Sequence, residues 1–338
     1  MARGGALRLE QSNVSARAAP LGAALLCLIV GLATLWWGGF DAADRTLLDR
    51  AFAWQRQTTW WSSPSTKPFL PPRPNRWRSC TSTWRRASVT AATPKARLVR
   101  RTRPSGTMPT TPATAPMVAA ELGLSCAAMD VNAACSGFMY AVRTAYGLLE
   151  TGARRVLVVG AENLSRWVDW NDRNMAVLLA DGGGAAILDY DPEVNELLAF
   201  ELGASGQDAD LLTCEHGGYF EMDGKEVFRR AVRVVVDSAE KAMATAGITS
   251  DDVALVVPHQ ANVRIIQAAC ERLGISMEKA AVVLHRTGNT SSASIPLALV
   301  DALDHGRVKK GDLVLLVGFG AGMTAASAIL RWGGEPNE

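Results

Sequence analysis

From residue 112 onward, short apolar runs alternate with stretches whose apolar residues recur every three or four positions. The first such period predicts a helix over Ala113–Leu122, and Met129–Val131 then closes a strand. Phe138, Val142, Ala145, Leu148 and Leu149 predict a helix between Gly137 and Thr151, which Gly152 ends before a buried strand at Arg155–Gly160. Three glycines, Gly182 to Gly184, allow a tight turn or a close backbone approach ahead of a strand at Ala185–Leu188. Glu226–Ala246 is a long amphipathic helix with Val227, Ala231, Val234, Val235, Ala239 and Ala242 on its apolar side. Asp252–Val257 is a strand; Asn262 caps a helix over Val263–Leu273 that buries Ile265, Ile266, Ala269, Cys270 and Leu273. Strands at Ala281–Leu284 and Leu313–Val317, a helix at Ser294–Leu303 and an edge strand at Ala325–Leu330 complete the series. Leu164–Asn174 and residues 191–220 carry little pattern. Strands alternating with helices predict an α/β fold.

The first 110 residues differ. They carry 17 Lys/Arg against four Asp/Glu, whereas residues 111–338 carry 18 against 29, so a net charge of +2 conceals +13 followed by −11. Ala18–Phe40 holds 23 residues without a charge, long enough for one membrane span, with Arg3, Arg8 and Arg17 favouring a cytosolic N-terminus. A cleaved signal peptide fits less well, and a buried helix or an unfolded stretch are the other readings. Residues 50–120 lack acidic side chains and show neither strand nor helix period; low order is the simplest account of them. Trp77 and Trp84 among basic residues suit an anionic surface, but no groove-reading motif accompanies them, so nucleic acid is not an expected partner. The cysteines at 27, 80, 126, 135, 214 and 270 form no CxxC pair, which argues against zinc and against a disulfide framework and suits a reducing cytosol. Phosphate-loop and dinucleotide-binding glycine motifs are absent.

Polar residues of chemical interest cluster where strands end, the usual place for sites in open α/β folds. Asn132–Ser136, His259–Asn262 and His285–Asn289 are three such places. Cys135 precedes a helix, where unpaired N–H groups and the helix field favour a thiolate. It reads as a nucleophile for acyl transfer or as a buried structural cysteine. His259 could be a general base, a neutral donor toward a thioester oxygen or a structural histidine, and Asn289 a second donor or a turn residue.

The strings DVNAACSGF (130–138), RVLVVGAE (155–162), VVPHQANVRII (256–266), GNTSSASIP (288–296) and GFGAG (318–322) together resemble the β-ketoacyl-acyl carrier protein synthase III family of the thiolase superfamily. The resemblance covers roughly residues 110–333. It implies a five-layered αβαβα fold of two related halves, here with residues 111–190 as the remainder of the first half, 191–338 as the second, and 1–110 as an atypical addition. It implies Cys135 as the acylated nucleophile, completed by His259 and Asn289, with an oxyanion hole from the Cys135 backbone and Ala321. Arg173 would lie near the CoA nucleotide, Asn262 would hold a water or a supporting contact, and Arg264, with Arg233 as a further cation, would meet an acidic carrier protein. The implied reaction joins an acyl-CoA primer to malonyl-acyl carrier protein with loss of CO2. No metal or cofactor is implied beyond the CoA thioester and phosphopantetheine of the substrates. A cytoplasmic homodimer is expected, or a membrane-anchored form if 18–40 spans a bilayer.

Polyketide starter synthesis or another condensation by the same superfamily, and an inactive or tethered product, are the alternatives. Thr287 stands where the family has an aromatic residue or histidine, the run Leu179–Gly184 replaces an FGDGAG-like string, and Ala325-Ala326 replaces Trp-Gly. The strands and CoA-binding segment that the family places in its first hundred residues are not recognisable in this sequence, so a shifted reading frame or a divergent start upstream of about residue 110 is a further expectation.

Overall fold

The computed structural model describes residues 113–333, except 123, 125, 154, 190–195 and 216, together with three strand segments nearer the N-terminus. Those segments are β1 (Leu26–Val30), β2 (Ala33–Trp36) and β3 (Val89–Thr90). Helix α1 (Thr114–Glu121) leads to β4 (Ala127–Val131), α2 (Gly137–Glu150), β5 (Arg155–Glu162) and β6 (Gly182–Asp189). Strand β7 (Leu197–Ala204) and the small pair β8 (Leu212–Cys214) and β9 (Phe220–Met222) precede α3 (Gly224–Ala246). Then come β10 (Val253–Pro258), α4 (Val263–Leu273), α5 (Ser294–Asp304), β11 (Leu313–Gly320) and β12 (Thr324–Arg331).

Two sheets organise these elements. The first runs β1-β4-β2-β5-β6-β3, with β1 also paired to β5, and the second runs β10-β11-β12-β7. Between them lie α2 and α5. Phe138, Met139, Val142 and Leu149 of α2 and Ile295, Ala298 and Leu299 of α5 share one core with Val156 and Leu188 of the first sheet and Leu255, Leu316 and Ala328 of the second. Val118 and Ala119 of α1 cover the other face of the first sheet, against Val159 and Ala161. Val235, Ala239, Ile265 and Ala269 of α3 and α4 cover the other face of the second, against Val256, Val317 and Ile329. Helix, sheet, helices, sheet, helices: this is the five-layered arrangement that the motifs imply.

Local chemistry explains most element ends. Asp223 accepts from the Glu226 N–H to start α3, and Gly247 ends it in the left-handed region at φ 68°. Asn262 accepts from the Arg264 N–H as expected, and all five residues expected on the inner face of α4 are buried.

Four expectations are corrected. The apolar run 18–40, read as a candidate membrane helix, contains strands β1 and β2 in its described part. Leu26–Val30 lies parallel to Ala127–Val131, so the sheet satisfies its backbone groups and needs no long helix. Among the described residues no helix is long and apolar enough to cross a membrane. Strand β12 is interior, because β7, from the weakly patterned stretch, pairs along its outer side. Ala281–Leu284 is not a strand. The side chain of Gln260, fully buried, takes over the ladder there: its Nε2 donates to the carbonyls of Pro258 (2.7 Å) and Ala281 (3.0 Å), and its Oε1 accepts from the Val283 N–H (2.9 Å). Cys126 is disulfide-bonded, against the expectation from cysteine spacing, which carries no information on pairing across a fold. The rest of residues 1–112 lies outside the described residues.

The glycines of the first sheet serve close approach rather than turning. A Cβ on Gly160 would stand 2.8 Å from the Ser292 carbonyl oxygen, and one on Gly184 would stand 2.7 Å from Pro296 Cγ. Strands β5 and β6 thus press directly onto the start of α5 and the turn before it. Gly160→Ala is expected to cost about 1–3 kcal/mol by overpacking. Thermal unfolding followed by circular dichroism should show a midpoint several degrees lower, and an unchanged midpoint would refute the close approach.

Candidate active site

Cys135 lies in the 3-10 turn Ala134–Ser136 that joins β4 to α2. Ala134, directly before it, has φ 49°, in the left-handed region. The turn is fastened from several sides. Ser136 Oγ lies 2.9 Å from Ala133 O and 2.6 Å from Thr324 Oγ1, and Thr324 Oγ1 lies 3.0 Å from Ala133 O, so one hydroxyl donates to the carbonyl and the other to its neighbouring hydroxyl. Gly320, at the end of β11, passes so close that a Cβ there would lie 2.7 Å from the Cys135 nitrogen. This contact brings the backbone next to Ala321 alongside the Cys135 N–H, the two groups expected to form an oxyanion hole.

Asn289 is not at a strand end. It forms an isolated bridge with Leu179, its N–H donating to Leu178 O (3.0 Å) and its carbonyl accepting from the Ala180 N–H (2.8 Å). A second 3-10 turn, Ser291–Ala293, follows and packs against the Cys135 turn. Ser291 also has a positive φ, 48°. Its N–H donates to Asn289 Oδ1 at 2.9 Å. That bond uses the amide oxygen and leaves Nδ2 as the donor.

His259 follows β10, its N–H bonded to Val317 O at 2.8 Å. The ring is buried, edge-on to Phe319 with centroids 5.3 Å apart. Nδ1 lies 2.6 Å from Ser294 Oγ, and that oxygen already accepts from the Gln260 N–H at 3.2 Å. The Ser294 hydroxyl thus occupies Nδ1 and leaves Nε2 as the ring nitrogen without a protein partner among the described residues. Burial holds the His259 pKa down at about 3, which favours the neutral ring.

Cys135 departs from the sequence expectation. The residue is only half-buried at its surface, but its sulfur sits among dense protein, and burial pushes its pKa up to about 11. The Ser291 hydroxyl opposes that rise, the Glu162 carboxylate adds to it, and the cysteine's own N–H opposes it again. Desolvation is the largest of these influences and acts against the thiolate that the helix field favours.

The remaining expected residues stand farther out. Arg173 is exposed at the start of the short helix Arg173–Ala176, and Arg264 is exposed in the first turn of α4. Asn262 Oδ1 is spent on capping α4. Arg233 lies 3.7 Å from Asp237 in an exposed ion pair. Sequence reasoning missed Ser291, Ser294, Gln260 and Glu162. All four lie inside the motif strings, but their spacing from Asn289 and His259 does not reveal which hydroxyl turns toward which partner.

The chain is similar to known proteins. Residues 129–206 match the family described as 3-oxoacyl-[acyl-carrier-protein (ACP)] synthase III, and residues 243–332 match its C-terminal domain. The β-ketoacyl-[acyl-carrier-protein] synthase III of Oceanobacillus iheyensis is 49% identical over 224 residues, 66% of this chain and 72% of that protein. A Bacillus cereus synthase III is 49% identical over 208 residues, covering 61% and 66%. The crystal structure of the Thermus thermophilus synthase III aligns with TM-score 0.62 at 47% identity, covering 67% of this chain and 74% of that one. The priming β-ketosynthase of the R1128 polyketide pathway aligns with TM-score 0.64 at 37% identity, covering 68% and 73%.

The buried thiol has a direct signature. Alkylation of Cys135 by iodoacetamide, followed by peptide mass spectrometry, is expected to accelerate roughly tenfold per pH unit from 7 to 10 without a plateau. A plateau below pH 8 would show that the helix field prevails over burial.

Proposed function

The chain belongs to the 3-oxoacyl-[acyl-carrier-protein] synthase III family, and on that premise we propose that Cys135, His259 and Asn289 carry out its decarboxylative condensation. An acyl-CoA primer transfers its acyl group to Cys135, and CoA leaves. Malonyl-acyl carrier protein then enters, and its thioester oxygen accepts from His259 Nε2–H and Asn289 Nδ2–H. As the malonyl carboxylate departs as CO2, its electron pair becomes an enolate on that oxygen, where two fixed donors stabilise it. The enolate carbon attacks the acyl-cysteine carbonyl, held by the N–H groups of Cys135 and Ala321. A carbon–carbon bond forms, the bond to Sγ breaks, and β-ketoacyl-carrier protein is released while the cysteine regains a proton.

One observation carries this reading over hydrolysis: Asn289 Oδ1 accepts from the Ser291 N–H, so its amide presents Nδ2–H as a fixed donor, and His259, whose Nδ1 is occupied by Ser294, is read as presenting Nε2–H beside it. A cysteine hydrolase instead needs an imidazole nitrogen free to accept from the thiol. Arg173 would serve the CoA nucleotide, with Asn262 supporting it through a bound water. Arg264 would meet the acidic carrier protein, and a second copy of the chain would complete a homodimer in the cytoplasm. Similarity to the R1128 priming β-ketosynthase supports a second reading, in which the same condensation starts a polyketide.

Intact-mass measurement with a panel of acyl-CoAs should show an acyl adduct that Cys135→Ala abolishes. His259→Ala and Asn289→Ala should still acquire the adduct but lose malonyl decarboxylation by on the order of 100-fold or more each. Failure of the folded protein to take any acyl group would sink the reading. Arg264→Ala should raise KM for malonyl-carrier protein several-fold and leave kcat unchanged in steady-state assays; an unchanged KM would remove Arg264 from the docking surface.

A further inference from the structure

His259 and Asn289 stand on separate pieces of chain, and the condensation proposed above needs both at one oxygen. His259 follows β10 of the second sheet, whereas Asn289 is bonded to Leu178 and Ala180, just ahead of β6 of the first. The stretch that leads to Asn289 meets β10 through the Ala281 N–H, which donates to Val256 O at 2.8 Å. Beyond that point the Gln260 side chain holds it. This amide is fully buried, and its partners admit one orientation: Nε2 donates to Pro258 O (2.7 Å) and Ala281 O (3.0 Å), and Oε1 accepts from the Val283 N–H (2.9 Å). At Val283 the turn toward Asn289 begins. The Val283 carbonyl accepts from the N–H groups of Arg286 (2.9 Å) and Thr287 (3.1 Å), and the Gly288 N–H bonds back to Leu284 O (2.9 Å). Gly288 then turns at φ 65° into Asn289. On the other side of Asn289, Ser294 Oγ accepts from the Gln260 N–H (3.2 Å) and lies 2.6 Å from His259 Nδ1. Two consecutive residues, His259 and Gln260, thus hold the Asn289 segment at both flanks, at Val283 before it and at Ser294 after it.

We propose that Gln260 is a positioning residue for the decarboxylating half of the reaction: its side chain sets where Asn289 stands relative to His259. The inference rests on the condensing function set out above. Being fully buried, Gln260 acts through the backbone it holds. Donors stabilise a developing enolate only when they are already aimed at its oxygen, and a small misplacement of one of them is costly. An apolar side chain of similar length would fill the same space but leave Pro258 O, Ala281 O and the Val283 N–H without their partner. Buried backbone groups do not stay unpaired, so the 281–283 stretch would shift to find other partners, and the turn that carries Asn289 would shift with it. Cys135 is fastened differently, by the Ser136–Thr324 hydroxyl pair and by Gly320, so its acylation does not depend on Gln260.

Reading the two half-reactions separately tests this. Rapid-quench intact mass gives the rate of acyl-Cys135 formation from acyl-CoA. Single-turnover CO2 release from malonyl-carrier protein gives decarboxylation by the acylated enzyme. Gln260→Met, similar in length but without hydrogen bonds, should acylate at close to the wild-type rate and lose decarboxylation by roughly 10- to 100-fold. Gln260→Glu, its carboxyl kept neutral by burial, retains the Val283 bond and one carbonyl bond and should lose decarboxylation only several-fold. Ile329→Ala removes buried bulk from the same sheet and should lower the melting temperature while leaving the ratio of the two rates unchanged. Equal losses in both half-reactions, or wild-type decarboxylation by Gln260→Met, overturn the proposal. A similar split in Ile329→Ala overturns it too, because the split would then report instability. Should Gln260→Met fail to fold, Gln260→Glu decides alone, and an unchanged ratio in it ends the proposal. A wild-type chain that forms no adduct or releases no CO2 removes the functional reading itself, whereas an active wild type with unsplit variants removes only the role of Gln260.

Discussion

The site depends on two tight turns being pressed against strands that carry no side chain at the point of contact. Gly320 of β11 lies under the Cys135 turn, and Gly160 of β5 lies under the Ser291 turn, each so close that a methyl group would collide with backbone atoms. Each turn contains a non-glycine residue at positive φ, Ala134 and Ser291. Such conformations cost of order 1 kcal/mol or more and persist where surrounding contacts over-determine them. Here the contacts do so: Ser136 and Thr324 fasten the first turn, and Glu162 and Asn289 fasten the second. The two sheets thereby act as rigid anvils, and a thiol and a carboxamide side chain are held between them.

Burial and hydrogen bonding divide the chemical work at this junction. Burial is the largest influence on both His259 and Cys135: it lowers the pKa of the imidazole and raises that of the thiol, favouring the neutral form of each. Hydrogen bonding then decides direction. Ser294 holds the histidine ring by Nδ1 so that Nε2 is its outward nitrogen, and the Ser291 N–H takes the asparagine amide oxygen so that Nδ2 is left as the donor. A neutral donor pair suits an enolate whose charge develops only as CO2 leaves, since donors fixed beforehand need not reorganise. A charged histidine would be costly at this depth, and the serine contact gives the ring its orientation without charging it.

How much of this was legible beforehand varied with the kind of interaction involved. Helix α4 was readable to the residue, because its cap and its buried face are both set by local periodicity and a side chain two residues from the N–H it accepts. The layer order followed from motifs, and the three chemical side chains from their strings. Interior strand β12 was misread as an edge because its partner β7 has no pattern that announces it. The stretch after Ala280 was misread as a strand because nothing local shows that a buried glutamine, more than twenty residues earlier, supplies the missing ladder.

The sequence by itself singled out Cys135, His259 and Asn289 as candidates for the chemistry, placed the helices of the body, and set its first 110 residues apart in character. Those are properties of spacing, composition and residue type. Only the tertiary structure decided that burial pushes the Cys135 pKa up, that His259 Nδ1 meets Ser294, and that Ser291 and Ser292 bond Glu162. Each of these is settled by what surrounds a side chain in space: the depth of protein over a sulfur, the hydroxyl beside a ring nitrogen, a carboxylate across a turn. Their partners lie 35, 129 and 130 positions apart along the chain, and no local pattern encodes them.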